Sequence, residues 1–279
     1  MTPVPLLTLN NGVQIPQLGL GVWQVDPAET QRVVEDAFEV GYRHIDTAQM
    51  YGNEAGVGAA LAASGLARDE VFVTSKLNNN RHERTAALES FDRTLEALGS
   101  DHVDLFLIHW PLPEVGDYVE TWHAMEEIYE SGRARAIGVS NFHQHHLDRL
   151  AAEGSVTPAV NQIECYPYLT QDALRAYDEA HGIVTEVWSP LGSGTVLADA
   201  TLARIAAAHG VSPAQATIRW HLQRGDVVFP KSTHKERLVE NLDVLGFPLS
   251  DDEVAEISAL NKDLRTGPNP DEFNWVPRG

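Results

Sequence analysis

The sequence predicts an α/β protein whose fold is a (β/α)8 barrel of the TIM type, and three observations lead there. Short apolar runs alternate eight times with longer segments whose apolar residues recur three and four apart. Many of those longer segments stop at glycine, where a helix is expected to end. The 279 residues suit eight such units in one chain. An open doubly wound sheet is the competing arrangement and would be favoured by a glycine fingerprint near the start. None is present: the segments beginning at Gly56 and Gly192 both carry Leu where the third glycine or alanine should stand.

In chain order, residues 6–16 read as a β-hairpin turning at Asn11–Gly12. The eight strand candidates follow: QLGLGVW, HIDTA, VFVTSKL, VDLFLIHW, AIGVSN, AVNQIECY, VTEVWSP and VVFP. Helical periodicity is clear in ETQRVVEDAFEVG, TAALESFDRTLEALG and HHLDRLAAEG, and left-handed caps are expected at Gly41, Gly65, Gly99, Gly154, Gly182 and Gly210. Two helical segments, DATLARIAAAHG and SPAQATIRWHLQRG, lie between the seventh and eighth strands, where one would suffice for a crossover. DDEVAEISALN follows the last unit, and the polar, proline-rich tail of residues 265–279 is placed to lie over the mouth of a single barrel domain.

The chain is 43% hydrophobic, with eight Phe, seven Tyr and six Trp, enough for a sizeable core. Its net charge of −20 argues against nucleic acid or an anionic membrane as partner, because both are bound through excess Lys and Arg. With one cysteine, Cys165, no internal disulfide forms, which suits a reducing compartment. The start lacks the basic and apolar segments of a leader and no run is long enough to span a bilayer, so a cytoplasmic protein is expected.

In such a barrel, side chains at the C-terminal ends of the strands converge on one mouth. Asp46, Lys76 and His109 lie at the ends of the second, third and fourth strand candidates, and Tyr51 lies in the loop just beyond the second. Taken singly, each has an ordinary structural role open to it, such as a strand-end bridge, a solvated lysine or a packed aromatic. Four on one rim point to chemistry. A phenol gives up its proton to a developing alkoxide more readily beside an ammonium, and a buried ammonium needs a carboxylate to stay charged. Tyr51, Lys76 and Asp46 form that chain, and a lowered phenol pKa is expected from it. Neutral His109 would hold the substrate oxygen. Protonation of a carbonyl oxygen then calls for a nucleophile at its carbon. No serine or cysteine triad and no metal-binding His spacing presents itself, so hydride from a nicotinamide completes the reaction and no metal is expected.

The motifs LGLGVW, GYRHIDTAQMYGNE, TSKL, VDLFLIHWP, IGVSNF, NQIECYPYL, WSPLGSG and FPKSTHKERLVENLDV together resemble the aldo-keto reductase family, and within it the bacterial 2,5-diketo-D-gluconate reductases. The likeness runs from Leu18 to Val244. It implies NADPH/NADP+ bound without a Rossmann domain, a usually monomeric barrel, and reduction of aldehydes or ketones, keto-sugars such as 2,5-diketo-D-gluconate among them. Tyr51 is then the proton donor, Lys76 and Asp46 its tuning pair, and His109 the orienting residue. The resemblance further implies that Ser140, Asn141 and Gln162 hold the nicotinamide amide, that Trp188 stacks on its ring, and that Leu191 and Gly192 border the pyrophosphate. Lys231, Ser232 and Arg237, with Glu240 and Asn241 toward the adenine, are implied to grip the 2′-phosphate. Independent support comes from position: this group, with His234 and Lys235, is a basic cluster at a helix start on a strongly acidic chain.

Two positions depart from the family pattern. Asn78 stands where Trp usually follows the lysine by two, and Tyr166 where His usually precedes the proline. Candidates for the substrate wall are Trp23, Asn78, Trp110, Phe273 and Trp275. Because the family also contains barrel subunits that act by binding, a cofactor-binding regulatory or scaffold barrel with little turnover is the alternative reading. A barrel hydrolase would need a second carboxylate beside Asp46, and the sequence singles none out.

Overall fold

The computed structural model describes residues 3–277, so the ends of the chain, including the last two residues of the expected tail, lie outside it. The hairpin is β1 (Leu6–Thr8) and β2 (Gln14–Pro16), antiparallel, with Leu7 opposite Ile15. Gly12, at φ 86°, takes the left-handed turn position that a side chain would resist.

Eight parallel strands then alternate with helices. They run β3 (Leu20–Gly21), α1 (Pro27–Val40), β4 (His44–Asp46), α2 (Glu54–Ala63), β5 (Phe72–Leu77), α3 (Arg84–Leu98), β6 (Val103–Ile108), α4 (Tyr118–Glu130), β7 (Ala134–Ser140) and α5 (Gln144–Glu153). After these come β8 (Val160–Glu164), α6 (Asp172–Ala180), β9 (Val184–Trp188), α7 (Ala200–His209), α8 (Pro213–Gln223), β10 (Val227–Val228), α9 (Lys235–Leu242) and α10 (Asp251–Ser258). Each strand pairs with the next in sequence from β3 to β10. The ring closes where Leu18 bridges Val228 in parallel, with the Val228 amide donating to the Gln17 carbonyl at 3.0 Å and the Gly19 amide to the Val228 carbonyl at 2.9 Å. The expected barrel is observed, with both helices between its last two strands.

Alternation along the strands decides which side chains enter the barrel. Ile45, Val73, Phe106, Ile163 and Val187 face outward and pack beneath the helices in the larger core. Their neighbours Phe72, Leu105, Leu107, Val160, Val227 and Phe229 face inward and meet Leu9 and Ile15 of the hairpin, which stops the N-terminal end. Toward the C-terminal ends, the inward positions of the same barrel, taken in steps of two along each strand, hold Asp46, Lys76, His109, Gln162 and Glu186. The same period that builds the plug delivers polar groups to the opposite mouth.

Helix ends follow local chemistry. Asp26, Asp117, Asp199, Ser212 and Ser250 each accept a backbone N–H in the first turn of the helix they precede. Gly99 and Gly210 cap α3 and α7 in the left-handed conformation. Gly154 does not: at φ −87° and ψ 168° its backbone is extended. A side chain is excluded there for another reason, since a Cβ would lie 2.8 Å from Trp122 Cδ1 and 2.9 Å from the Leu150 carbonyl oxygen. Trp122 is fully buried and its Nε1 donates to the Val156 carbonyl at 3.1 Å, so the ring has little room to yield. Gly154→Ala is expected to lower unfolding free energy by about 1–3 kcal/mol through overpacking; an unchanged midpoint in urea would show that the Trp122 contact relaxes freely.

Candidate active site

At the open end of the barrel, Lys76 is completely buried and donates from Nζ to Asp46 Oδ1 at 2.7 Å and to the Thr47 carbonyl at 2.9 Å. Its third contact is the Tyr51 hydroxyl at 3.5 Å, and the ammonium lies 5.1 Å from the centre of the Tyr51 ring. Burial pushes the lysine toward neutrality, but the acidic groups around it, Asp46 first among them, together more than offset that, and Lys76 is held above its ordinary value. Tyr51 reaches this point because a single 3-10 turn, Gln49–Tyr51, follows β4 and stops at left-handed Gly52. Gln49 fixes that turn to the barrel: its Nε2 donates to the Ser90 carbonyl and Thr94 Oγ1, and its Oε1 accepts from the Asn78 amide and Ser90 Oγ.

The Tyr51 phenol differs from the sequence expectation. Its pKa is raised, because burial disfavours the phenolate more than Lys76 favours it. His109 sits edge-on to Tyr51, ring centres 5.8 Å apart. Burial first, and then the charge of Lys76, hold its pKa well below the usual imidazole value, so the ring is neutral at pH 7. Its buried Nδ1 has no hydrogen-bond partner. The four residues read from the sequence therefore share one rim.

The other expected residues fall into two groups. Beside the four, Ser140 Oγ donates to the Gln162 carbonyl at 2.9 Å. Asn141, at φ 65°, uses its Nδ2 on the His109 carbonyl and Ser140 Oγ, both at 3.0 Å, and its Oδ1 accepts from Trp188 Nε1 at 2.8 Å. Gln162 Nε2 donates to Asp46 Oδ2 and to Glu186 Oε2, each at 2.9 Å. Leu191 leads into a 3-10 turn, Gly192–Gly194, where a Cβ on Gly192 would stand 2.4 Å from the Tyr166 ring. Tyr166 is thus a brace: its ring underlies this turn and its hydroxyl donates to the Leu264 carbonyl at 2.8 Å.

The second group lies around the start of α9. Ser232 is buried and its Oγ accepts from the His234 amide at 3.1 Å. Lys231 and Arg237 are exposed and have no ion-pair partner among the described residues. Lys235 is not part of a free basic cluster, because Glu39 and Asp36 of α1 take its charge. Glu240 accepts from Ser212 Oγ, and Asn241 is buried.

Of the substrate-wall candidates, Trp110 and Phe273 pack against each other at a tilt of 43°, ring centres 4.2 Å apart, which brings the tail onto the rim. Asn79 Nδ2 donates to the Trp275 carbonyl at 2.9 Å, and the Trp275 side chain is 54% exposed. Trp23 is 51% exposed, so two large aromatic faces stand open to solvent. Asn78 lines a small polar cleft with Gln49, Arg81 and Ser90.

Two carboxylates escaped the sequence reading. Glu164, buried at the end of β8, accepts the Thr266 and Gly267 amides at 2.7 and 3.1 Å, and so fastens the tail. Glu186 is buried behind Gln162, and burial, with repulsion from Asp46, pushes it up to about 8. Both lie on strands and are buried, but a carboxylate inside a strand carries no signal in the sequence of what it will meet.

A family model described as aldo/keto reductase matches residues 16–262. An aldo-keto reductase of Mycolicibacterium smegmatis is 48% identical over 272 residues, covering 98% of this chain and 99% of its own. The glyoxal reductase of Bacillus subtilis is 47% identical, with 95% and 96% covered. Among solved structures, a mutant of Gox0644 in complex with NADPH superposes with a TM-score of 0.94 at 44% identity, over 98% of this chain and 99% of that one. The chain belongs to the aldo/keto reductase family. Among the described residues, no helix is long and apolar enough to cross a membrane.

Glu186 carries a consequence for stability. Its folded-state pKa is raised, so its contribution is full below the unfolded value near 4.5 and is lost as pH rises toward about 8. Between these values it steepens the fall in stability by up to about 1.4 kcal/mol per pH unit. Urea unfolding of Glu186→Gln beside the parent should show the difference moving in favour of the variant from pH 5.5 to 7.5; a constant difference contradicts the raised pKa.

Proposed function

We propose that the protein reduces small aldehydes and ketones with NADPH, with Tyr51 as the proton donor. The observation that carries this reading is the buried Lys76 ammonium, held by Asp46 at 2.7 Å and turned toward the Tyr51 hydroxyl. The residues present fit the cofactor. Lys231 and Arg237 offer uncommitted positive charge around the start of α9 on a chain of net charge −20. When bound, the nicotinamide supplies the hydride that reduces the carbonyl carbon.

The protein's part is to receive the charge that develops on the carbonyl oxygen. Neutral His109 does this best as the tautomer with its proton on Nε2, because that leaves the partnerless Nδ1 as a buried lone pair rather than a buried N–H, the rarer arrangement. Nε2–H then donates to the substrate oxygen and holds it toward Tyr51. The phenol releases its proton to that oxygen as negative charge builds there. Lys76 stabilises the phenolate left behind, and Asp46 keeps the lysine charged throughout. The high resting pKa of Tyr51 keeps the proton in place until the oxygen becomes basic enough to take it.

Short, polar carbonyl compounds are the substrate class in view. The likeness to the B. subtilis glyoxal reductase points to dicarbonyls, and the Trp110–Phe273 contact sets aromatic surface beside the rim. Tyr51→Phe removes the acid and keeps the ring. It should lower kcat by about a hundredfold or more while NADPH still binds, as read by quenching of tryptophan fluorescence; a variant with parental kcat would remove Tyr51 from the chemistry.

A further inference from the structure

Where the tail meets the N-terminal end of α5, four side chains that bind metals or protons converge away from the four catalytic candidates. Asp271 Oδ1 lies 2.9 Å from His143 Nδ1, 3.3 Å from His145 Nε2 and 3.6 Å from His146 Nε2. Donor atoms of His143, His145 and Asp271 all fall within 4.8 Å of one another. Around a tetrahedral zinc ion with ligands near 2.0–2.1 Å, donor atoms sit about 3.3 Å apart, so small side-chain rotations bring the three into place. We propose that His143 Nδ1, His145 Nε2 and a carboxylate oxygen of Asp271 form a site for a borderline divalent cation of the zinc class, and that the ion clasps the tail to the barrel. Two imidazoles and one carboxylate are the donor set such ions prefer, and the exposure of His145 and Asp271 leaves the fourth position to water.

Proton positions sharpen the assignment. His146 Nδ1 accepts the His143 amide proton at 3.1 Å, so its neutral ring carries its own proton on Nε2, facing Asp271. It therefore supports the carboxylate from behind and does not ligate. His143 Nε2 accepts from Arg265 Nη2 at 3.1 Å, which places the ring proton on Nδ1, toward Asp271. Metal binding moves that proton to Nε2, and Arg265 must then swing aside; Glu164 Oε2, 3.8 Å from its Nη1, is the carboxylate that can receive it. Arg265 is thus the built-in competitor of the ion.

The consequence reaches the mouth of the barrel. Phe273 and Trp275, two and four residues beyond Asp271, contact Trp110 and Asn79. An ion on Asp271 steadies the stretch that covers the rim.

The test uses untagged full-length protein, stripped with chelator and titrated with Zn2+ against a chromophoric competitor and with Co2+ by visible absorption. One equivalent per chain should bind, with the intense bands of tetrahedral cobalt. His145→Ala should weaken binding by about tenfold or more, a loss of 1.4 kcal/mol or above, with metal-free turnover unchanged. Arg265→Gln should tighten it. Hydrogen exchange at 272–275 should slow with Zn2+ in the parent and not in His145→Ala. Equal affinity and stoichiometry in the parent and His145→Ala would overturn the site and leave adventitious surface binding.

Discussion

Everything at the mouth of this barrel depends on one buried ion pair. A lysine with no solvent exposure is tenable only because Asp46 meets its ammonium at 2.7 Å and the Thr47 carbonyl takes a second proton. Removing one partner of a buried pair typically costs about 3–5 kcal/mol, since the other charge is left uncompensated. Such a pair is weak evidence for stability in itself, because apolar residues would fill the space as well. Its use lies in the charge it preserves beside Tyr51.

The surroundings hold that charge in place by a graded series of polar contacts. Asp46 gives its second oxygen to Gln162, and Gln162 passes its other proton to Glu186, so two carboxylates share one amide. Repulsion between them is avoided because burial keeps Glu186 protonated at neutral pH. Asp46 alone is left to face Lys76. Asn141 is fixed in the same way, with both amide protons and its oxygen engaged by His109, Ser140 and Trp188. These side chains are engaged by one another, the kind of arrangement that preorganised electrostatics calls for.

How much of this was legible in the sequence follows from the length scale of each feature. Strands, helices and the hairpin were readable because apolar runs and helical spacing are local, and lying at the ends of successive strands placed Asp46, Lys76 and His109 on one rim. Gly154 was misread because its lack of a side chain answers to Trp122, thirty-two residues away, rather than to its own backbone. The free basic cluster shrank because Lys235 pairs with α1, a contact of nearly two hundred residues in separation. Tyr51 ended with a raised pKa because burial depends on the whole packed rim, while the presence of a lysine is visible in a motif. Glu164 acquires its meaning only from the tail that folds back on it, and Asp271, within that tail, only from the histidines it meets at α5. Tyr166, a departure from the family pattern, proves to be a prop beneath the Gly192 turn.

The claim that the charge on Lys76 drives proton transfer from Tyr51 is met most directly by Lys76→Met, which keeps the side chain's length and removes its charge. Oxidation of NADPH would be followed at 340 nm with methylglyoxal or another small aldehyde, and NADPH binding measured in parallel to show that the variant is folded. The account expects binding to persist and kcat to fall by about a hundredfold or more. A variant that binds NADPH and turns over at the parental rate would contradict it.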